Sequence, residues 1–283
     1  MAKKSQANDS LRNKPLSIAA VSSYLDTRTL GSTMAVVGNV DSTNMYIKKH
    51  AAALDDGFVI ISETQTSGRG RLGKTFCSPE GGLYMSILLM GRSFAEKADS
   101  ITVRAAVAVR DAIAEVSEIS DVGIKWVNDI YIGDKKVCGI LAERVVKSAS
   151  CDFCVLGIGV NVFTPKKSFD SSISDIAGSL SDFTKHDFSK NRLAAAILNH
   201  LEKTLFAKGK LQNSEILDKY RAYSVIIGKD IYITDGEDTI PAFVLGIDDD
   251  ASLYVRYEDN TTAILRNGMV STKLSNNRKG DKK

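Results

Sequence analysis

Histidine, proline and tryptophan are scarce in this chain, with three, four and one among 283 residues, and no apolar run is long enough to span a bilayer. The histidines, His50, His186 and His200, are not spaced as a ligand pair. The four cysteines, Cys77, Cys138, Cys151 and Cys154, do not form the paired framework of a small secreted domain. Cys151 and Cys154 invite a metal or redox reading, but in a strand their odd spacing sends the two thiols to opposite faces, and burial as small apolar groups accounts for them better. An excess of one charge is also missing. Lys and Arg total 37 against 34 Asp and Glu, a net charge of +3, so any cationic function must be local and not a coat for nucleic acid. Residues 1–15 are polar and carry lysines with no apolar segment behind them, which speaks against a secretory signal or a membrane anchor and for a cytoplasmic protein.

What is present is a globular composition long enough for one large domain and a small satellite. Residues 17–30 can hold a short helix and residues 32–37 read as extended. Asp41 and Ser42 supply cap chemistry for a helix running to about Leu54. Residues 96–116 carry Ile101, Ala105, Ala108, Ala112 and Val116 at helical spacing. Short strands follow at 123–127, 129–132, 136–143 and 153–162, the texture of a mainly antiparallel sheet. Ser189 caps a further helix that stops near Gly209, and Ser214 is expected to start another through Tyr223. From Val225 the chain turns to short strands separated by Asp, Gly and Asn turns, the pattern of a small β-barrel, and a basic tail closes it. The boundaries expected are an N-terminal extension at 1–30, a catalytic domain at 31–224, the small barrel at 225–274 and a disordered tail at 275–283.

The most informative segment runs from Gln65 through Gly68, Arg69, Gly70 and Arg71 to Gly73. Glycines let backbone N–H groups approach an anion, and the two arginines add planar, permanently charged donors. Gly-Arg strings also occur in disordered nucleic-acid binders. Here, however, the string lies between two apolar runs, 58–62 and 82–90, which would hold it in place. Asp41, Ser42, Thr43 and Asn44 open a helix, where they serve as a cap or as the seat of a polar ligand head. Lys125, Trp126, Val127, Asn128 and Asp129 break an apolar strand with an amide and a carboxylate, either to end it in a turn or to meet a nucleotide hydroxyl or Mg²⁺. Lys136 with Gly139, and Gly157 to Asn161, place glycines where a flat ligand could lie against backbone.

In this order these motifs resemble the biotin protein ligases, over roughly residues 35–270. The resemblance implies an α+β catalytic fold like that of class II aminoacyl-tRNA synthetases, a mixed and mainly antiparallel sheet packed with helices, followed by a small SH3-like β-barrel. It implies two reactions: ATP and biotin give biotinyl-5′-AMP and pyrophosphate, and a lysine of a biotin carboxyl carrier domain then takes the biotinyl group. By motif position Arg71 and Lys136 are the catalytic residues. Ser42, Thr43, Asn44, Gln65, Gly68, Arg69, Lys136, Gly139 and Gly159 surround biotin; Arg71, Phe76, Asn128, Asp129 and Asn161 meet the nucleotide; and Asp129 is the candidate Mg²⁺ ligand. Val127 stands where the family commonly has proline, which predicts a less rigid turn. Phe76 stands where an adenine-packing tryptophan can occur.

The same resemblance names the carrier domain of acetyl-CoA carboxylase or a related carboxylase as partner, and leaves room for a homodimer through edge-strand pairing. Some members carry an N-terminal DNA-binding domain. Only 40 residues precede Asp41 here, without a helix-turn-helix pattern, so neither DNA nor membrane binding is expected, and removal of residues 1–30 is expected to leave activity largely intact. Two alternatives stand beside the ligase: a lipoate or octanoate ligase or transferase of the same fold, and a non-catalytic biotin-binding protein.

Overall fold

Alternation along the central strands divides the main sheet into two covered faces. In β2 (Val59–Gln65), Val59 and Ile61 enter one apolar cluster and Ile60 another; in β3 (Gly82–Met90), Met85, Ile87 and Leu89 join the first and Leu88 the second. Successive strand side chains point to opposite faces, so a run apolar at every position needs cover on both. The structure is a computed structural model and describes residues 11–12, 14–91, 94, 98–148, 151–206, 210–235, 238–266 and 271–274.

The sheet has seven strands. Edge to edge they are β1 (Met34–Val40), β2, β3, β7 (Cys151–Asn161), β6 (Lys135–Ser148), β5 (Asp129–Ile132) and β4 (Val122–Lys125). β1 pairs with β2 in parallel, and the remaining ladders are antiparallel. Helices α3 (Ala98–Ser117) and α4 (Lys190–Leu205) pack on each other, and α3 lies against β4 and β6. On the opposite face α2 (Thr43–His50) rests on β2, β3 and β7 and drops Ile47 into the second cluster. This is the mixed, mainly antiparallel α+β architecture that the sequence predicts. Among the described residues no helix is long and apolar enough to cross a membrane.

The C-terminal part is a five-stranded antiparallel sheet. Its strands are β8 (Asp230–Asp235), β9 (Asp238–Ile247), β10 (Leu253–Tyr257), β11 (Thr262–Leu265) and β12 (Ser271–Leu274), in the order β11-β10-β9-β8-β12. Ile231, Ile233, Val244 and Leu253 belong to the same apolar cluster as the first face of the large sheet, so this sheet is anchored to the main core.

Several expected boundaries shift. α2 ends at His50 and a 3₁₀ turn carries on through Ala53. Ser189 caps α4 as predicted, its hydroxyl accepting from the Arg192 N–H at 3.2 Å. α5 (Lys210–Ala222) starts before Ser214, which is therefore an interior helical serine; cap chemistry in a sequence is only a local preference that surrounding structure overrides. The expected helix stop at Gly209, the tail 275–283 and the Cys151 thiol lie outside the described residues or side chains, as do residues 1–10.

Residues 1–30 do not behave as a detachable extension from Leu16 onward. Here α1 spans only Ile18–Ser22, and Leu16, Val21 and Leu30 are buried in the main cluster. Asn191 clasps the segment, accepting from Ser17 N and donating to Pro15 O, both at 3.0 Å. The Glu202 carboxylate accepts from the backbone N–H groups of Thr29 and Leu30, at 3.1 and 2.8 Å. An acidic side chain on α4 thus satisfies donors that no local partner meets. Deletion of 1–30 is accordingly expected to destabilise the protein. The single change Leu30→Ala should cost about 2–5 kcal/mol in urea denaturation, and an unchanged midpoint would show that this segment is not part of the core.

Candidate active site

One row of the sheet, directly paired across four strands, forms the floor of the site. Tyr84 pairs with Gly159, Gly159 with Gly139 and Gly139 with Asp129; one step along, Ser86 pairs with Gly157. Paired residues share a face, so three glycines open a strip of bare backbone on the face that carries α2. Both ends of that strip are used. A Cβ on Gly157 would lie 2.2 Å from Asn44 Oδ1, and Cβ atoms on Gly159 and Gly139 would lie 2.4 and 2.8 Å from the Phe76 ring.

At the first end sits the start of α2. Ser42 is the cap, accepting from Met45 N, and Ser42, Thr43 and Asn44 are all buried. Gln65, at the end of β2, accepts from Thr43 N through Oε1 at 2.9 Å and donates through Nε2 to Ser78 Oγ at 2.8 Å. Ser86, fully buried, reaches both Thr43 Oγ1, at 2.7 Å, and Asn44 Oδ1. The Asn44 amide donates at 2.7 Å to Glu143, whose other oxygen holds Lys48 at 2.6 Å. The result is a recess lined by neutral donors and acceptors. Such groups suit a small polar ring better than an ion.

The glycine/arginine loop closes over the floor from β2. Gly70 N donates to Lys74 O at 2.7 Å and Phe76 N to Gly68 O at 2.9 Å, so the loop is a small ladder whose tip turns at Leu72 and Gly73, with φ of 53° and 72°. The foot is packed too tightly for a side chain, since a Cβ on Gly68 would lie 2.3 Å from Phe76 O. The ladder delivers Phe76 onto Gly139 and Gly159. Motif position assigns those glycines to biotin and Phe76 to adenine; the ring lies over both glycines because the loop folds back on the sheet within a few residues.

Cations gather at the other end. A bulge pairs Ile130 with Cys138 but Tyr131 with Lys136, leaving Val137 as the extra residue; Val137 and Cys138 both enter the core, which returns Lys136 to the site face. Lys136 Nζ meets Asp129 Oδ1 at 2.6 Å and lies 5.9 Å from the centre of the Phe76 ring. Arg71 donates to Asn128 Oδ1 at 3.1 Å, and Asn128 Nδ2 donates to Ile140 O. Burial holds the Lys125 ammonium below its ordinary pKa; Asp129 opposes that shift, while Lys136, Lys74 and Arg71 add to it. Like charges brought this close are costly unless an anion joins them.

Val127 in place of proline predicts a looser turn into Asn128. The structure ties that turn from two sides: Tyr220 donates to Val127 O at 2.9 Å, and the Trp126 indole donates to Ala251 O, in the turn between β9 and β10, at 2.9 Å. The Trp126–Val127 peptide is cis. Of the other expected residues, Asn161 is buried at the end of β7, donating to Gly178 O at 3.1 Å, and its Oδ1 meets no hydrogen-bond donor among the described residues. Arg69 is exposed on the loop, where its backbone bridges to Thr75. Asp129 is the carboxylate nearest the cations, and no group of three or more His, Cys, Asp or Glu side chains able to hold a metal occurs among the described residues. Ser86, Glu143, Ser78 and Tyr220 carry no assignment from the sequence. A serine in the middle of the apolar run 82–90 is the one readable signal among them.

The biotin/lipoate A/B protein ligase family matches residues 36–161, which contain the floor, the loop, both cation-bearing strands and the start of α2. The match spans less than half of the chain, which is similar to that family over these residues. It is 31% identical over 210 residues to the bifunctional ligase/repressor BirA of Bacillus subtilis, a match covering 74% of this chain and 64% of that relative's length. It is 29% identical over 243 residues to the biotin--[acetyl-CoA-carboxylase] ligase of Mycobacterium tuberculosis, covering 83% of this chain and 87% of that one. The structure of the Aquifex aeolicus biotin protein ligase in complex with biotin and ATP superposes with a TM-score of 0.74 at 28% identity, over 86% of this chain and 100% of the other. Within this fold, the Tyr220 hydroxyl is a test of how the turn is held. Burial pushes its pKa up, so it stays a protonated donor. Tyr220→Phe should leave Val127 O without that donor and lower stability in urea by about 1–3 kcal/mol; no change would mean the tie is dispensable.

Proposed function

We propose that this protein is an ATP-dependent biotin protein ligase. The observation that carries the proposal is the joining, across one glycine floor, of a neutral hydrogen-bonding recess at Ser42, Thr43, Asn44 and Gln65 with a cationic end at Arg71, Lys125 and Lys136. Biotin has this polarity: a cyclic urea at one end and a carboxylate at the other. The likeness to ligases from Bacillus, Mycobacterium and Aquifex supports the same reading.

In the first step the biotin carboxylate attacks the α-phosphorus of ATP, the bond to pyrophosphate breaks, and biotinyl-5′-AMP forms. Negative charge grows on the phosphoryl oxygens as the bond is made, and Lys136 and Arg71 are the groups that offset it. Lys136 reaches this position by exchanging its Asp129 partner for the reacting anions. Phe76 offers an aromatic face between the two halves, and Asn128, Asp129 and Asn161 meet the nucleotide. Asn161 Oδ1, buried without a donor among the described residues, is suited to accept from a nucleotide hydroxyl or amine. Asp129 would hold Mg²⁺ through its carboxylate, and the ion would supply charge neutralisation. Arg69 and Arg71 on the loop retain the adenylate and keep water from it. In the second step the ε-amine of a carrier-domain lysine attacks the biotinyl carbonyl, an amide forms, and AMP leaves. The carrier domain of acetyl-CoA carboxylase or a related carboxylase is the partner.

Lipoate fits the recess less well. A dithiolane ring has no donors, and buried polar groups left unmatched by a ligand weaken its binding. Incubation with ATP, Mg²⁺ and labelled biotin should release pyrophosphate only when biotin is present. Lys136→Ala should lower kcat by about 10²–10³-fold, the loss typical of a single charge-stabilising group, and Arg71→Ala should speed escape of the adenylate from a folded protein. Pyrophosphate release with lipoate or octanoate and none with biotin would transfer the proposal to the lipoate branch. Biotin binding without any pyrophosphate would make the protein a binder.

A further inference from the structure

The neutral recess contains more hydrogen-bonding groups than a ligand head can use, and the surplus is ordered. Glu143 lies on β6, on the same face as Gly139 and two paired positions further along. Its carboxylate only accepts, so the side of the Asn44 carboxamide 2.7 Å away must be the nitrogen, and Asn44 Oδ1 must face Ser86 and the bare backbone of Gly157. Ser86 has one proton, and Asn44 Oδ1 requires it. The proton between Ser86 Oγ and Thr43 Oγ1, 2.7 Å apart, is therefore that of Thr43. The Gln65 carbonyl is served by Thr43 N–H at 2.9 Å and lies farther, at 3.1 Å, from Thr43 Oγ1. Every hydrogen in this chain is thus directed by one charge. Thr43 Oγ1 keeps its lone pairs for a ligand N–H, and Asn44 keeps its second amide hydrogen for a ligand carbonyl.

We infer that Glu143 and Ser86 are positioning residues that set the hydrogen-bond polarity of the recess, matching it to a cyclic urea in which N–H and C=O stand side by side. The inference rests on the biotin reading above. It assigns neither residue a contact with the reacting atoms. Lys48, held by Glu143 at 2.6 Å, makes the arrangement directional. In Glu143→Gln, Lys48 can only donate, so it keeps the side-chain oxygen and turns the new amide nitrogen toward Asn44. Asn44 must then present its oxygen there and its nitrogen to Ser86, which reverses the polarity of the recess with almost no change in volume.

Titration calorimetry on the full chain, with biotin, lipoate and ATP as separate ligands, tests this. Glu143→Gln should raise the Kd for biotin at least about tenfold, the effect of leaving one buried hydrogen bond unmatched, while the Kd for ATP stays within about twofold and any weak lipoate binding is unaffected. Ser86→Ala, which removes the relay and not the charge, should shift the same ligand in the same direction, and stands in for Glu143→Gln should that variant fail to fold. Wild-type protein that does not bind biotin would defeat the underlying reading and this inference with it. Wild-type protein that binds biotin, with both variants binding it equally well, would overturn the inference alone. Parallel loss of biotin and ATP binding would also overturn it, because that is what a general structural role produces.

Discussion

Gly157 and Gly159 remove two side chains from the site face of β7, and the candidate site is arranged around the room they leave. Asn44 comes down on one and Phe76 on the other. Neither approach survives a Cβ, and neither would be possible if β7 slipped by a single residue, since that would turn Cys154, Leu156 and Ile158 toward α2 and the glycines into the core. Register is therefore a condition of chemistry here as well as of packing. The apolar residues on the far side of β3, β6 and β7, by insisting on burial, fix where the bare backbone lies.

A second constraint works through the same strands. The bulge at Val137 spends one residue of β6 on the core and so brings Lys136 back over the floor, beside Asp129. The adjoining turn is held by groups from outside the sheet, the Tyr220 hydroxyl on α5 and the carbonyl of Ala251 in the C-terminal sheet. The small sheet thus has a structural part in the site although none of its side chains is assigned to a ligand. Cationic groups near one another repel, and two of these are held by side-chain partners, Lys136 by Asp129 and Arg71 by Asn128.

The loop at residues 65–73, the cap at Ser42, the glycines of β6 and β7 and the alternation of apolar residues are legible in the amino-acid sequence by itself, because each is a local pattern with a local cause. The mainly antiparallel α+β sheet follows from the same signals. Ser86 and Glu143 cannot be read there with a purpose, since their partners Thr43, Asn44 and Lys48 lie about 40 to 100 positions away and meet them only once the register across β3, β7 and β6 is set. That Phe76 lies over Gly139 and Gly159 is not legible either, because nothing in the sequence reveals how sharply the loop folds back. The segment ahead of β1 reads as dispensable for a related reason: its polar composition gives no sign that Asn191 and Glu202 supply the partners for its backbone.

That clasp also bears on the route by which the chain reaches its final form. Leu30 and Glu202 are 172 positions apart, and Ser17 and Asn191 are 174 apart, so the segment around α1 cannot settle until α4 exists to receive it. Contacts between such distant stretches carry more closure entropy than local ones. Until then Val21 and Leu30 have nowhere to hide, and for that interval the nascent protein displays greasy surface that a chaperone would recognise.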